Sequence, residues 1–336
     1  MQKLSILLLS FITLASASTL SIKLPEVPKP TADIPKVVIT YPNQSYKTNE
    51  EILQEFEKKP VFFSNHVAPK RVEKKDAAGK ITLVGDVKDG LITAYLHAPL
   101  ITMSEVKEKL TEAGFEILSS YKIDKKGAVE SVVFTNADII KNASKKNRGF
   151  SSSLRVTIDK KNELVSITNP LYIMTAFMQD EYDAKLANET LVKLRNTFKD
   201  LKNSTETSKF RVLPRYQFMA GMPRYHDMQV IKKGVSAELL ASARKSKKIV
   251  YEQALLNGSV ILGVKLSKRT SKFVKKTGYQ NAGLLPYPVL IENGEVKILD
   301  PKYYIAIMYP KLKMSQFMKI ATVPGAIGKD IDRIFR

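Results

Sequence analysis

The sequence predicts an α+β protein made of two related units behind an N-terminal extension. Strand-like and helix-like runs alternate from about residue 90 onward, and the same order of runs recurs in the second half. In each half an alternating strand closes on a short polar residue and a proline. The two stretches are Val165-Ser166-Ile167-Thr168-Asn169-Pro170-Leu171-Tyr172 and Val296-Lys297-Ile298-Leu299-Asp300-Pro301-Lys302-Tyr303, 131 positions apart. Proline ends a ladder and Asn or Asp caps the turn, so both halves are expected to finish a sheet there.

The first residues read as an export signal. Lys3 is followed by an apolar run from Leu4 to Leu14, too short to span a bilayer, and then by the small-x-small pattern Ala15-Ser16-Ala17. Residues 1–17 are therefore expected to be removed, and the protein to be exported to a periplasmic or extracellular location. Pro25, Pro28, Pro30, Pro35 and Pro42 then make an extended tether. With one amphipathic patch at 49–58, this tether and extension occupy 18–89.

The first unit, 90–205, opens with a strand over Leu91–His97. A capping box at Thr102 and Glu105 starts a helix with Val106, Leu110 and Ala113 on one face and Gly114 as its stop. Strands follow over Phe115–Ile123 and Ala128–Thr135, then a short helix over Asp138–Lys146. The runs Leu154–Ile158 and Leu164–Ile167 flank a polar turn and form a hairpin. Ala187, Leu191, Leu194, Phe198 and Leu201 are spaced as the buried stripe of a longer helix.

The second unit, 206–336, repeats the order. A helix holds Leu239–Ala243, strands run over Ile249–Ala254 and Val260–Leu266, and a helix over Ser267–Lys276. Val289–Ile291 and Val296–Leu299 flank Asn293-Gly294, a strong hairpin signal.

Composition excludes several chemistries. No Cys occurs, so there is no disulfide frame, thiolate metal site, iron–sulfur cluster or thiol nucleophile. Of the formal net charge of +21, residues 207–336 carry 24 basic and 8 acidic side chains. Such a field attracts anions: phosphate headgroups, acidic polymers, nucleic acid. Export argues against the last.

Some stretches resemble a known family. Val260-Ile261-Leu262-Gly263-Val264, Ala282-Gly283-Leu284-Leu285-Pro286 and Val289-Leu290-Ile291-Glu292-Asn293-Gly294 look like the domain-of-unknown-function 302 family, and Val132-Val133-Phe134-Thr135-Asn136 begins a more divergent copy. The resemblance implies two tandem TATA-binding-protein-like units, each a curved antiparallel sheet backed by helices, and no particular activity. Where many members of that family carry Cys, this chain has Lys265-Leu266-Ser267 and Tyr287. A thiol-based role is thereby removed.

The densest chemical feature is Lys265–Thr277. As a helix, it would place Lys265, Lys268, Arg269, Lys272, Lys275 and Lys276 on one side and Leu266, Thr270, Phe273, Val274 and Thr277 on the other. Like charges at such spacing repel, and an anionic surface or ligand would relieve them. Tyr172, Tyr303 and Tyr304 follow the matched prolines and are candidates to line a concave ligand face. His97 and His226, at comparable places in the two halves, are the histidines a metal site would draw on; His66 is the third. No HExxH, P-loop, G-x-G-x-x-G or G-x-S-x-G is present, so no catalytic residue, metal or cofactor is assigned.

The expectation is an exported, non-enzymatic binding protein of the cell envelope, its second unit contacting an anionic lipid headgroup, polymer or small ligand. The alternatives are a metal-assisted hydrolase or other enzyme using His97 or His226, and a structural duplication that pairs with a partner protein.

Overall fold

The computed structural model describes residues 82–124 and 126–336. The expected signal peptide, tether, 49–58 patch and His66 lie outside the described residues. The elements in chain order are β1 (Leu91–Thr93), β2 (Tyr95–Pro99), α1 (Met103–Glu112), β3 (Glu116–Lys122), β4 (Val129–Thr135), α2 (Ala137–Ala143), β5 (Leu154–Asp159), β6 (Leu164–Thr168), α3 (Pro170–Met178), α4 (Ala184–Thr197), β7 (Lys202–Asn203) and β8 (Thr207–Lys209). There follow β9 (Gln229–Lys233), α5 (Ser236–Arg244), β10 (Ile249–Ala254), β11 (Val260–Val264), α6 (Val274–Thr277), β12 (Tyr287–Glu292), β13 (Glu295–Ile298), α7 (Pro301–Met308), α8 (Met314–Met318) and α9 (Val323–Asp332).

Two antiparallel sheets carry the fold. The first has the order β3-β4-β5-β6-β2-β7 and the second β10-β11-β12-β13-β9. Setting β9 against β2, β10 against β3 and so on to β13 against β6 gives the same order in both. One helix joins the first two strands of each set, α1 in one and α5 in the other. A two-stranded sheet, β1 with β8, stands apart.

Local chemistry explains most boundaries. The Thr102 hydroxyl accepts from the Glu105 amide at 3.2 Å, and the Glu105 carboxylate accepts from the Thr102 amide at 2.8 Å, closing the capping box. Asp159 Oδ1 accepts from the amides of Lys161 and Asn162 and so tightens the β5–β6 turn. Asn293 and Gly294 both have positive φ, 52° and 73°, the backbone that a two-residue turn between twisted strands requires.

Several boundaries depart from the sequence expectation. The two helices expected over Asp138–Lys146 and through Leu201 end earlier, at Ala143 and Thr197, with Phe198 and Leu201 buried beyond α4. The strand over Leu91–His97 divides at Ala94, whose amide donates to the Glu206 carbonyl at 2.7 Å, so the chain passes there between two sheets. Leu266 falls beyond β11. The helix over Ser267–Lys276 is instead a 3-10 turn, Thr270–Phe273, running into the single turn of α6. The Asn-Pro and Asp-Pro pairs do end strands, but each also begins a buried helix. Asn169 Oδ1 accepts from the Leu171 amide at 3.1 Å and Asp300 Oδ1 from the Lys302 amide at 2.8 Å, with proline as the first helical residue. Asn169 further donates to the carbonyls of Gly85 and Thr93, both at 2.9 Å, which pins the entry of the chain to the end of β6.

Because side chains alternate across a strand, each sheet has two unlike faces. In the first sheet Leu96, Val132, Phe134, Val156, Ile158, Val165 and Ile167 fall on one face. Tyr95, Ser131, Arg155, Thr157, Ser166 and Thr168 fall on the other and are nonetheless buried. What buries them is the Tyr279–Leu284 turn between β11 and β12. Ser131 donates to the Leu285 carbonyl at 3.0 Å, Ser166 to that of Gln280 at 2.7 Å, and Tyr95 to that of Met308 at 2.6 Å.

The second sheet is covered in return. The Gly149–Ser151 turn between β4 and β5 lies on Leu255 and Leu290, so close that a Cβ on Gly149 would meet Leu290 at 2.7 Å. Beside it the buried ion pair of Lys297 with Glu292, at 2.6 Å, is completed by Asn147, whose amide donates to the carboxylate and whose side-chain oxygen accepts from Lys297. One apolar cluster accordingly runs from Ile92 to Phe335 through both halves.

Removing one member of that ion pair strands the other charge in the interior. We expect Lys297→Met to cost about 3–5 kcal/mol of unfolding free energy, and Lys297→Met with Glu292→Leu to recover most of it. Urea unfolding of the two variants and the parent measures both.

Candidate functional site

The six basic residues of the 265–276 segment are all exposed, while Leu266, Thr270, Phe273, Val274 and Thr277 are all buried. The segment holds its place through polar anchors. The Ser267 amide donates to Asp330 of α9 at 2.8 Å, and the Ser267 hydroxyl accepts from the Thr270 amide at 3.2 Å. The 3-10 turn tightens the spacing below that of an α-helix, yet the division of cations from apolar residues survives, because Phe273 and Val274 enter the core together.

Among the described residues, none of Lys265, Lys268, Arg269, Lys272, Lys275 and Lys276 forms an ion pair with a carboxylate. Lys276 donates to the Lys319 carbonyl at 2.8 Å, which fastens the segment to the end of α8. There Met318 stands 63% exposed and Met314 38%, with Lys313 and Lys319 also exposed. Lys265 lies 5.5 Å above the ring of Tyr121 on β3. The result is a cationic surface edged by two apolar side chains.

The three tyrosines expected on a ligand face are placed otherwise. Tyr172, Tyr303 and Tyr304 are at most 1% exposed, on α3 and α7 in the shared core. Tyr172 donates to the Ile307 carbonyl at 2.7 Å, and Tyr304 packs edge-on against Tyr287. The expectation had them follow the end of a strand and line a concave face of the sheet. The prolines instead open helices whose every residue but Lys302 is buried, so these rings pack inside.

The histidines do not come together. His226 is exposed in the loop before β9, 3.7 Å from Asp227, at the rim of a cleft of about 390 Å³ that Arg148, Arg215 and Arg224 also line. His97 is half-buried on β2, and its Nε2 has no hydrogen-bond partner. Among the described residues no three His, Asp or Glu side chains gather to hold a metal.

Nothing in the sequence marks Arg155 as a buried residue. In Leu154-Arg155-Val156-Thr157 the alternation suggests a solvent-facing arginine, but this side chain is 2% exposed. Its Nη1 donates to the Ser153 carbonyl at 3.4 Å, while Nε and Nη2 have no partner. Burial opposes its charge, and the hydroxyls of Tyr304, Tyr251, Tyr121 and Tyr95 lie near enough to favour it, leaving the pKa above the ordinary value. Burial pushes the Tyr304 phenol up to about 12, so its proton stays in place at neutral pH. Tyr251 reaches this interior because its ring lies flat over Gly263, where a Cβ would meet the ring at 2.1 Å. The glycine of the Ile-Leu-Gly run thus serves close packing.

No protein-family model, curated protein or solved structure matches the chain.

Desolvation lowers the pKa of His97 from 6.5, with Asp159 partly opposing it. The folded state therefore binds its proton less readily than the unfolded state. Its contribution is fully present above about 6.5 and is lost as the pH falls toward the folded value. Unfolding free energy should drop between pH 7 and pH 5 more steeply for the parent than for His97→Gln, as measured by denaturant titration at each pH.

Proposed function

We propose that the protein is an exported, non-catalytic binding protein of the cell envelope that docks on an anionic lipid surface. The carrying observation is the exposed, carboxylate-free row of Lys265, Lys268, Arg269, Lys272, Lys275 and Lys276 beside the exposed Met318. Export rests on the pattern of residues 1–17. Each Lys or Arg near an anionic bilayer contributes on the order of 1 kcal/mol, so six give several at low salt. Met318 and Met314 suit shallow contact at the headgroup boundary, which favours a lipid surface over a soluble polymer. Among the described residues no helix is long and apolar enough to cross a membrane.

We also read the two halves as divergent copies of one unit, of the domain-of-unknown-function 302 kind. The common strand order and the paired Asn169-Pro170 and Asp300-Pro301 helix starts support this. On that reading, one copy has gained the cationic surface: the corresponding helix of the first half, α2, carries Asp138 in its first turn.

Co-sedimentation with vesicles containing phosphatidylglycerol tests the docking. The parent should be retained at low salt and released as ionic strength rises, because screening shortens the field to about 8–10 Å near 0.1 M. Replacing Lys268, Arg269, Lys272 and Lys275 with Glu should lower retention at least tenfold and leave the melting temperature within a few degrees. Equal retention of both proteins would contradict the proposal.

A further inference from the structure

Arg155 is a permanent cation in the interior, and among the described residues no carboxylate pairs with it. A buried charge without a counter-ion is among the costliest arrangements a fold can hold. The pattern of its contacts is specific. Nη1 is engaged by the Ser153 carbonyl, and the two unpartnered nitrogens are Nε and Nη2. Those two form one edge of the guanidinium, whose parallel N–H groups match the two oxygens of a carboxylate.

Further unsatisfied groups occupy the same interior. Thr157 lies two residues along β5, hence on the same face as Arg155, and its buried Oγ1 has no partner. The Tyr304 hydroxyl is likewise buried and unpartnered, and it lies within electrostatic reach of Arg155. Buried polar groups left without partners in one place call for an occupant. The phenols of Tyr121 and Tyr304 keep their protons, so they are donors to an anion and not rivals for the cation, while the Tyr95 proton is held by the Met308 carbonyl.

The two sheets meet at a seam beside this interior. β3 and β10 are edge strands of different sheets that lie against each other with no ladder between them. Half-buried Tyr121 lies at this seam beneath Lys265, and Tyr251 comes from the other side. A cation thus stands outside the seam and another inside it.

We propose that Arg155 forms the floor of an internal site for a small carboxylate, held on Nε and Nη2 and capped by the Tyr304 hydroxyl. This site is separate from the cationic surface, and it stands whether or not that surface binds lipid.

Formate and acetate are the probes. The full chain is unfolded, refolded into chloride and melted with either anion added at constant ionic strength. A ligand that binds only the folded state raises the midpoint in a saturable way. The parent should show that rise, and Tyr304→Phe should shift half-saturation at least tenfold higher. Arg155→Met should show no rise above chloride while melting in chloride at or above the parent. If Arg155→Met does not fold, Tyr304→Phe decides, since it removes one hydroxyl and keeps the ring. A crystal grown with formate should place one formate across Nε and Nη2. The proposal is overturned by no rise in the parent, by an equal response in Tyr304→Phe, by a larger rise with phosphate than with formate, or by waters alone on both nitrogens.

Discussion

Each sheet of this protein needs the other to cover it. The first sheet turns Ser131, Arg155, Thr157 and Ser166 toward what would be water in an isolated unit, and the Tyr279–Leu284 turn takes the place of that water. The second sheet receives Gly149–Ser151 and completes its Lys297–Glu292 pair with Asn147. A polar group taken from solvent must regain its hydrogen bonds within the protein. Backbone carbonyls of Leu285 and Gln280 supply them for Ser131 and Ser166, so hydroxyl and carbonyl positions on both sides fix how the halves sit, while Arg155 and Thr157 are left without them. The tyrosines follow from this arrangement: Tyr95 and Tyr172 reach across to the carbonyls of Met308 and Ile307 at the end of α7.

The parts of the fold governed by local chemistry were legible in the sequence. Thr102 with Glu105, Asn293-Gly294 and the Asp159 turn are settled by neighbours within a few residues. The helices α3 and α7 were not. Pro170–Met178 is buried on every side, so it shows no apolar stripe to mark a helix after the strand has ended. Arg155 was hidden for a related reason. Alternation identifies the face of a strand, but it does not tell whether water or another part of the chain lies beyond that face. The cationic row was legible even though its helix was misjudged, because the buried positions Phe273 and Val274 and their charged neighbours sort the same way in either geometry.

Positive charge is placed in two unlike settings. Outside, six side chains stand in solvent, where each is cheap to maintain and salt weakens its reach. Inside, one guanidinium stands where water is excluded and each missing partner is costly. The first setting suits reversible contact with an extended anionic surface, and the second suits selection of one small anion by shape. Lys265 above Tyr121 lies where the two settings meet.

The interdependence of the sheets is most directly read from native-state hydrogen exchange of the full chain in increasing denaturant. Amides of β4 and β5 should open with the same free energy and the same denaturant slope as those of β11 and β12, since each sheet loses the cover of one face once the other unfolds. Two separate slopes, with one sheet exchanging while the other stays protected, would contradict the account.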